Sequence, residues 1–173
     1  MTGDQGAGGV AELVVVRGLP GCGKSTAARA WVALDPANRA RINRDDSRAM
    51  MHGGPIGPAG ERQVSIAHVA AIGALLAAGI SVINDDTNLL DEYVQQRLAV
   101  AADVGATARV WDMRGVPLDV CLSQNAQRTG DARLPDAAIK AMHAEHVAPA
   151  LATGKVSAVP LADIGSRDAL AVM

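Results

Sequence analysis

A chain of 173 residues with 49% apolar content can bury one good core, and its length suits one domain. Aromatics are almost absent, with two Trp, one Tyr and no Phe, so the core is expected to be aliphatic and extended base stacking is argued against. The net charge of −2 speaks against a broad basic footprint on long DNA or RNA, while leaving room for a grip on one strand end.

Residues 1–10 are Gly-rich and carry Asp4 without any base, which reads as a flexible N-terminus and not as a signal peptide. Residues 11–173 then form the single domain. Leu13-Val14-Val15-Val16 is an apolar β-branched run of strand length, and Thr26 to Leu34 is an Ala-rich helical segment. Between them lies Gly18-Leu19-Pro20-Gly21-Cys22-Gly23-Lys24-Ser25-Thr26. Strand, glycine loop and helix in that order make G-x-x-x-x-G-K-[ST] a phosphate-binding P-loop. Gly18, Gly21 and Gly23 leave the backbone bare, so N–H groups through Cys22 and Thr26 can converge on phosphate oxygens at the positive end of a helix. Lys24, expected at a solvent-facing site, can reach the β/γ-phosphates, and the Ser25 hydroxyl can ligate Mg²⁺. This pattern implies a bound nucleoside triphosphate. Cys22 reads as a small filler inside the loop.

Further along, strand-length apolar runs alternate with helical patterns, which predicts an α/β fold: an open parallel sheet with helices on both faces. Strands are expected near 11–16, 39–43, 80–85, 106–112 and 156–160, and helices near 24–34, 45–52, 61–79, 89–104, 117–129 and 135–152. The Gly- and Pro-rich stretch 53–58 breaks the second helix from the third, Pro117 suits a first helical position, and Gly79 and Gly105 suit helix ends. The apolar stretch Ile66 to Ile80 is too short to cross a membrane and contains His68, so it reads as a buried helix. Cys22 and Cys121 give no disulfide framework, and a reducing cytoplasm is the expected setting.

Ligands of such sheets sit at the carboxyl ends of the strands. Polar clusters fall at three of those ends: Arg41-Ile42-Asn43-Arg44-Asp45-Asp46-Ser47-Arg48, Asn84-Asp85-Asp86-Thr87-Asn88, and Asp112-Met113-Arg114. Phosphoryl transfer needs in-line positioning, charge neutralisation and an acceptor for the hydroxyl proton. Asp45, at the start of a short helix, can take that proton, and Arg48, one turn on, can hold an anionic part of the acceptor. The competing reading of the pair is a helix N-cap with a surface ion pair. Asp85-Asp86 is similar to a Walker B acid supporting Mg²⁺ near Ser25, with one acid at the site and the other capping the next helix or solvated. Spacing leaves open which is which, and Asp86 is taken as the metal-side acid. Arg128, Arg133 and Lys140 flank a flexible segment at Thr129 to Ala132, which reads either as a lid over the transferring phosphate or as a solvated helix end. His143 and His146 lack a third ligand at suitable spacing and read as a solvated helix face.

At these residues the chain resembles the 5′-hydroxyl polynucleotide kinase family, in the form of its T-even phage kinase domains. The matching pieces are Gly18–Thr26, Ile42–Arg48, Asp86-Thr87-Asn88-Leu89, and Asn125–Arg128 with Leu134-Pro135, together spanning roughly residues 12 to 145. The resemblance implies transfer of the γ-phosphate of ATP or another NTP, with Mg²⁺, to the 5′-OH end of DNA or RNA, as in phage and nucleic-acid repair enzymes. It implies Asp45 as general base, Arg48 as clamp on the acceptor's 3′-phosphate with Thr87 assisting, Arg128 as the lid arginine, and Leu134 against the terminal nucleoside. Two departures are Gln124, where the family carries a basic residue before its lid Asn, and a longer spacing after Arg128. The phosphatase domain that accompanies the phage kinase has no counterpart here, so no phosphatase activity is expected. The alternative reading is a small-molecule P-loop kinase for a sugar, nucleoside or antibiotic, similar to zeta-toxin-like enzymes.

Overall fold

The computed structural model describes residues 10–54 and 56–157. Strands β1 (Glu12–Arg17), β2 (Arg39–Ile42), β3 (Ser81–Asp85) and β4 (Thr107–Asp112) form one sheet in the order β2-β3-β1-β4. Every neighbouring pair is parallel. Because β1 lies between β3 and β4 and is covered on both faces, its run needs no polar alternation, and Leu13, Val14, Val15 and Val16 are all fully buried.

The pleat sends alternate β1 side chains to opposite layers. Leu13 and Val15 pack with Ile72 and Leu76 of α3 (Pro58–Ala77) and with Val94 and Ala101 of α4 (Asp91–Asp103). Val14 and Val16 pack with Ala27, Ala28 and Trp31 of α1 (Lys24–Ala33), joined by Trp111 of β4. Helices thus cover both faces of a parallel α/β sheet, the expected P-loop kinase architecture. The core is largely aliphatic, yet both tryptophans enter the α1-side layer, leaving Tyr93 as the one exposed aromatic. Trp31 is also roofed by the Arg39 guanidinium, 4.6 Å from the ring centre.

A third apolar cluster lies under the P-loop. Leu19 and Cys22 pack there on Val116, Cys121, Ile139 and Val147, contributed in part by α5 (Leu118–Ala126) and α6 (Asp136–Met142). The helix expected over 135–152 is interrupted: α6 gives way to a wide π-type turn at His143–Val147 and then α7 (Ala148–Ala152). Pro149 has no N–H for a carbonyl one turn back and crowds that carbonyl, so regular α-helix cannot run through it. Of the strand expected near 156–160, residues 156 and 157 lie in no strand and the remainder falls outside the described residues, as do residues 1–9. Among the described residues no helix is long and apolar enough to cross a membrane.

Candidate active site

The end of β1 is fastened before the phosphate loop begins. Arg17 is buried; its Nε donates to the Asn88 carbonyl at 2.9 Å, its Nη2 to the Leu89 carbonyl at 2.7 Å, and its Nη1 pairs with Asp91 at 2.8 Å. The Gly18 N–H donates to the Thr87 carbonyl at 3.0 Å, so loop and post-β3 segment share one seam. At Gly21, φ is +84° and an added Cβ would lie 2.2 Å from the Cys121 carbonyl oxygen. Only glycine lets the loop lie directly on the α5 backbone. Lys24 is not solvent-facing: it is 8% exposed, and its Nζ donates to the carbonyls of Gly18 at 2.9 Å and Leu19 at 2.7 Å. The ammonium lies across the inside of its own loop, beside the buried Cys22. Burial pushes the Cys121 thiol up to about 12, so it packs as an inert apolar group.

The second cluster stands at the end of β2, on α2 (Arg44–His52). Asn43 is its N-cap: the side-chain oxygen accepts from the Asp46 N–H at 3.1 Å, and the amide donates to the Asp85 carbonyl. Capping therefore falls to Asn43, which leaves Asp45 exposed and ion-paired with Arg48 one turn on. Arg48 also pairs with Glu61 of α3, and Glu61 pairs in turn with Arg44. The hydrogen bond from Arg48 is the main cause holding the Glu61 carboxyl at about 2, with Arg44 adding to it. That same bond raises the Arg48 guanidinium. β3 alone separates β2 from β1, so the start of α2 lies about 10 Å from the phosphate loop, two strand spacings away.

The two acids after β3 are engaged differently. Asp85 is buried beside Val16 of β1; its Oδ2 accepts from Arg41 Nε at 2.7 Å, while its Oδ1 is buried with no hydrogen-bond partner. Asp86 Oδ1 accepts from the Arg44 N–H at 2.9 Å and Oδ2 from Asn84 Nδ2 at 2.9 Å, with His68 Nε2 3.3 Å away. Burial pushes the Asp86 carboxyl up and His68 down to about 3, so the histidine is neutral, and its Nε2 lies in hydrogen-bond contact with Asn84 Nδ2 at 2.8 Å. Thr87 is exposed at the edge of this network.

On the far side of the phosphate loop, Arg128 follows α5 and donates weakly to the Ala132 carbonyl, at 3.4 Å. Buried Asn125 brackets the next segment, donating to the Leu134 carbonyl at 2.7 Å and accepting from its N–H at 3.1 Å. Leu134 packs on the cluster beneath the loop. His146 only approaches Glu145, at 3.6 Å, and no group of three or more His, Cys, Asp or Glu side chains gathers as a metal site among the described residues.

Residues 13–149 match a protein family described as the AAA domain, which covers most of the chain. The chain belongs to that AAA domain family. Among solved structures, the AAA domain is similar to a chain of the Pnkp1/Rnl/Hen1 RNA repair complex, with 25% identity and a TM-score of 0.70 over 89% of this chain and 48% of that one. A second structure of a Pnkp1/Rnl/Hen1 complex gives 26% identity and a TM-score of 0.60 over 76% and 43%. The chain thus spans less than half the length of those matches. Kti12 from Chaetomium thermophilum in complex with ADP-AlF3 shares the fold, with a TM-score of 0.64 at 19% identity over 92% and 93% of the two chains. A gluconokinase from Sinorhizobium meliloti shares it too, at 0.56 and 24% over 94% and 91%. No curated protein sequence matches. The AAA domain is a P-loop kinase domain.

Sequence reasoning placed Arg41, Asn84 and Asn88 in strand-end clusters and Asn125 in the lid block without giving them a role, and it missed Arg17, Glu61 and the polar role of His68 in holding this AAA domain's site together. Two left a trace, since a lone Asn in the apolar run of β3 and an Arg ending the apolar run of β1 must each find partners when buried. Glu61 left none.

Proposed function

We propose that the chain transfers the γ-phosphate of Mg-ATP, or another NTP, to the 5′-hydroxyl end of DNA or RNA. The observation that carries the reading is the Asp45–Arg48 pair, exposed at one end of a short helix and about two strand spacings from the phosphate loop. In this reading the loop N–H groups and Lys24 hold the donor phosphates, Lys24 exchanging its two carbonyl contacts for phosphate oxygens. Asp45 accepts the proton of the attacking hydroxyl, and Arg48 holds the acceptor phosphate on the 3′ side with Thr87 beside it. Arg128 closes on the transferring group, and Leu134 backs the terminal nucleoside.

The residues present fit a magnesium ion: Asp85 has a buried carboxylate oxygen without a partner, and Ser25 offers a hydroxyl at the head of α1. Asp85 and Ser25 would hold the ion, with Asp86 behind them ordering Asn84 and the start of α2. When bound it neutralises charge on the phosphates; one carboxylate plus phosphate oxygens is a usual Mg²⁺ environment.

Labelled γ-phosphate transfer to a nucleoside 3′-monophosphate, a bare nucleoside, a 5′-OH oligonucleotide and a sugar panel tests this. A hydrogen bond to a charged group is worth about 1.5–3 kcal/mol, so the 3′-phosphate should raise kcat/KM roughly 10- to 100-fold over the bare nucleoside. Arg48→Ala should erase most of that preference. Equal loss on both acceptors removes Arg48 from the acceptor side, and transfer to sugars with none to oligonucleotides replaces the reading with the small-molecule kinase.

A further inference from the structure

Between α3 and α4, at the edge where α2 begins, lies a cavity of about 320 Å³ lined by Arg44, Arg62, Ser65, Tyr93, Gln96 and Arg97, with Glu61 and Val69 completing it. That volume stands at the small end of the range for ligand sites, ~300–1,000 Å³. Its two walls differ. On one, Arg44 donates to Ser65 Oγ and pairs with Glu61, and the Ser65 hydroxyl donates to the Glu61 carbonyl, so these groups are committed. On the other, the side chains of Arg62, Tyr93, Gln96 and Arg97 make no hydrogen bond or salt bridge among the described residues.

Arg97 decides the matter. It is 3% exposed, its Nε is buried without a partner, and it lines the cavity. Guanidinium groups stay charged, and a buried charge without a hydrogen-bonded counter-ion is costly unless something occupies the space in front of it. The charge of Asp86 acts on Arg97, but its oxygens accept from the Arg44 N–H and from Asn84, and no hydrogen bond or ion pair joins it to Arg97. Among the described residues no side chain closes the pair, which leaves the cavity as the place for a counter-ion.

We propose that this cavity is a second anion site, separate from the phosphate loop, which takes a phosphate group on Arg97 with Gln96, Tyr93 and Arg62 as further donors. A tetrahedral oxyanion suits donors arriving from several directions, and a guanidinium fork grips two of its oxygens at once. Tyr93 at the rim, 45% exposed, adds a flat surface for whatever the phosphate is attached to. The group arrives either on a small phosphomonoester or within a polynucleotide backbone, and the site does not depend on which acceptor the kinase uses.

Saturating Mg-AMPPNP first fills the phosphate loop, so that further binding reports on the second site. Inorganic phosphate, AMP and a short 5′-OH oligonucleotide are then titrated at constant ionic strength, with the melting temperature and the Arg97 Nε–H NMR resonance as readouts. Phosphate or AMP should raise the melting temperature and shift the Arg97 resonance, since a ligand that binds only the native state stabilises it by mass action. The response should persist in Lys24→Ala without nucleotide and vanish in Arg97→Met. Arg97→Met should itself melt at or above the ligand-free wild type, because an apolar chain of similar length replaces a lone buried charge. Gln96→Ala, on the exposed surface of α4, should weaken binding about 3- to 10-fold and covers the case in which Arg97→Met fails to fold. A response to AMP and phosphate assigns a small-molecule site, and one confined to the oligonucleotide assigns the backbone. No shift at Arg97 with any of the three, or full binding by Arg97→Met, overturns the proposal.

Discussion

In the proposed reading, the donor and acceptor sides of the cleft are built from different interactions. The phosphate loop is held by backbone against backbone, Gly18 to Thr87 and Gly21 against Cys121, with an apolar cluster beneath. By contrast α2 contains no buried residue at all, and ion pairs of Arg41 with Asp46 and of Arg44 and Arg48 with Glu61 tie it to β2 and α3. A backbone cage cannot be adjusted without breaking the fold, and it serves phosphates that are alike in every nucleoside triphosphate. Ion pairs near the surface are individually weak, so the acceptor helix can shift and exchange partners as its substrate arrives. The difference predicts that donor-side substitutions damage structure and chemistry together, while substitution of the exposed Asp45 on the acceptor side damages chemistry alone.

The largest effects should come from one residue on each side. Asp45→Asn keeps shape and removes the proton acceptor, and a loss of roughly 10²–10⁴ in kcat is expected, the usual weight of general-base catalysis. Because Asp45 is exposed, the melting temperature should hardly move. Lys24→Ala should cost on the order of 10²–10³ or more in transfer, as for other pre-placed charge stabilisers, and should also lower stability, since the lysine is buried on two loop carbonyls. Kinetics beside thermal melts checks both. An Asp45→Asn enzyme that melts early, or a Lys24→Ala enzyme that melts as wild type, breaks the contrast between the sides.

Next in size is Gly21→Ala. A side chain at φ +84° costs about 1–3 kcal/mol in backbone strain alone, and the added carbon overlaps the Cys121 carbonyl. The loop must lift off α5, so nucleotide affinity and stability should fall together. Gly53→Ala makes the control: its φ is +74° but nothing lies within 4 Å, so it should show strain without loss of nucleotide binding.

The same contrast explains what was legible in the sequence. The P-loop, the four strands and the start of α2 follow from local runs and spacings, because adjacent residues make the loop and the sheet's alternation. Asp45 and Arg48 were legible for the same reason, being one turn apart on one helix. What stayed hidden joins distant parts of the chain: Glu61 to Arg48, Arg41 to Asp85, Asn84 to His68, Arg17 to Asn88. Helical period marks Glu61 only as one more polar residue near the start of α3, and nothing local says that two arginines from another helix will find it. Lys24 was legible in its place in the loop but not in its burial, which depends on where the loop carbonyls turn. The break in the expected helix over 135–152 could have been placed from Pro149, since no regular helix carries proline in its interior.

The smallest expected effect is the sharpest probe of the acceptor side. Glu61 holds Arg44 and Arg48 together, and its folded carboxyl sits at about 2 against an ordinary 4.5. A depressed value means that the native state favours the ionised form, so the stability it adds is complete above about 4.5 and drains away as pH falls toward 2. A hydrogen bond to a charged group is worth about 1.5–3 kcal/mol, but the carboxylate is 34% exposed, and solvent screening reduces the expected loss in Glu61→Gln to about 1–2 kcal/mol at pH 7. The measurement is the difference in unfolding free energy between wild type and Glu61→Gln across pH 7 to 2, which cancels other titrating groups. That difference should hold steady to about pH 5 and close toward zero at the acid end. A gap that stays constant to the acid end would show that Glu61 acts by shape and not by charge, and the ion-pair account of α2 would fail with it. Activity adds a second reading: with Glu61 neutral, Arg48 keeps Asp45 as its one anionic partner, so KM for a 3′-phosphorylated acceptor should fall while KM for ATP stays unchanged.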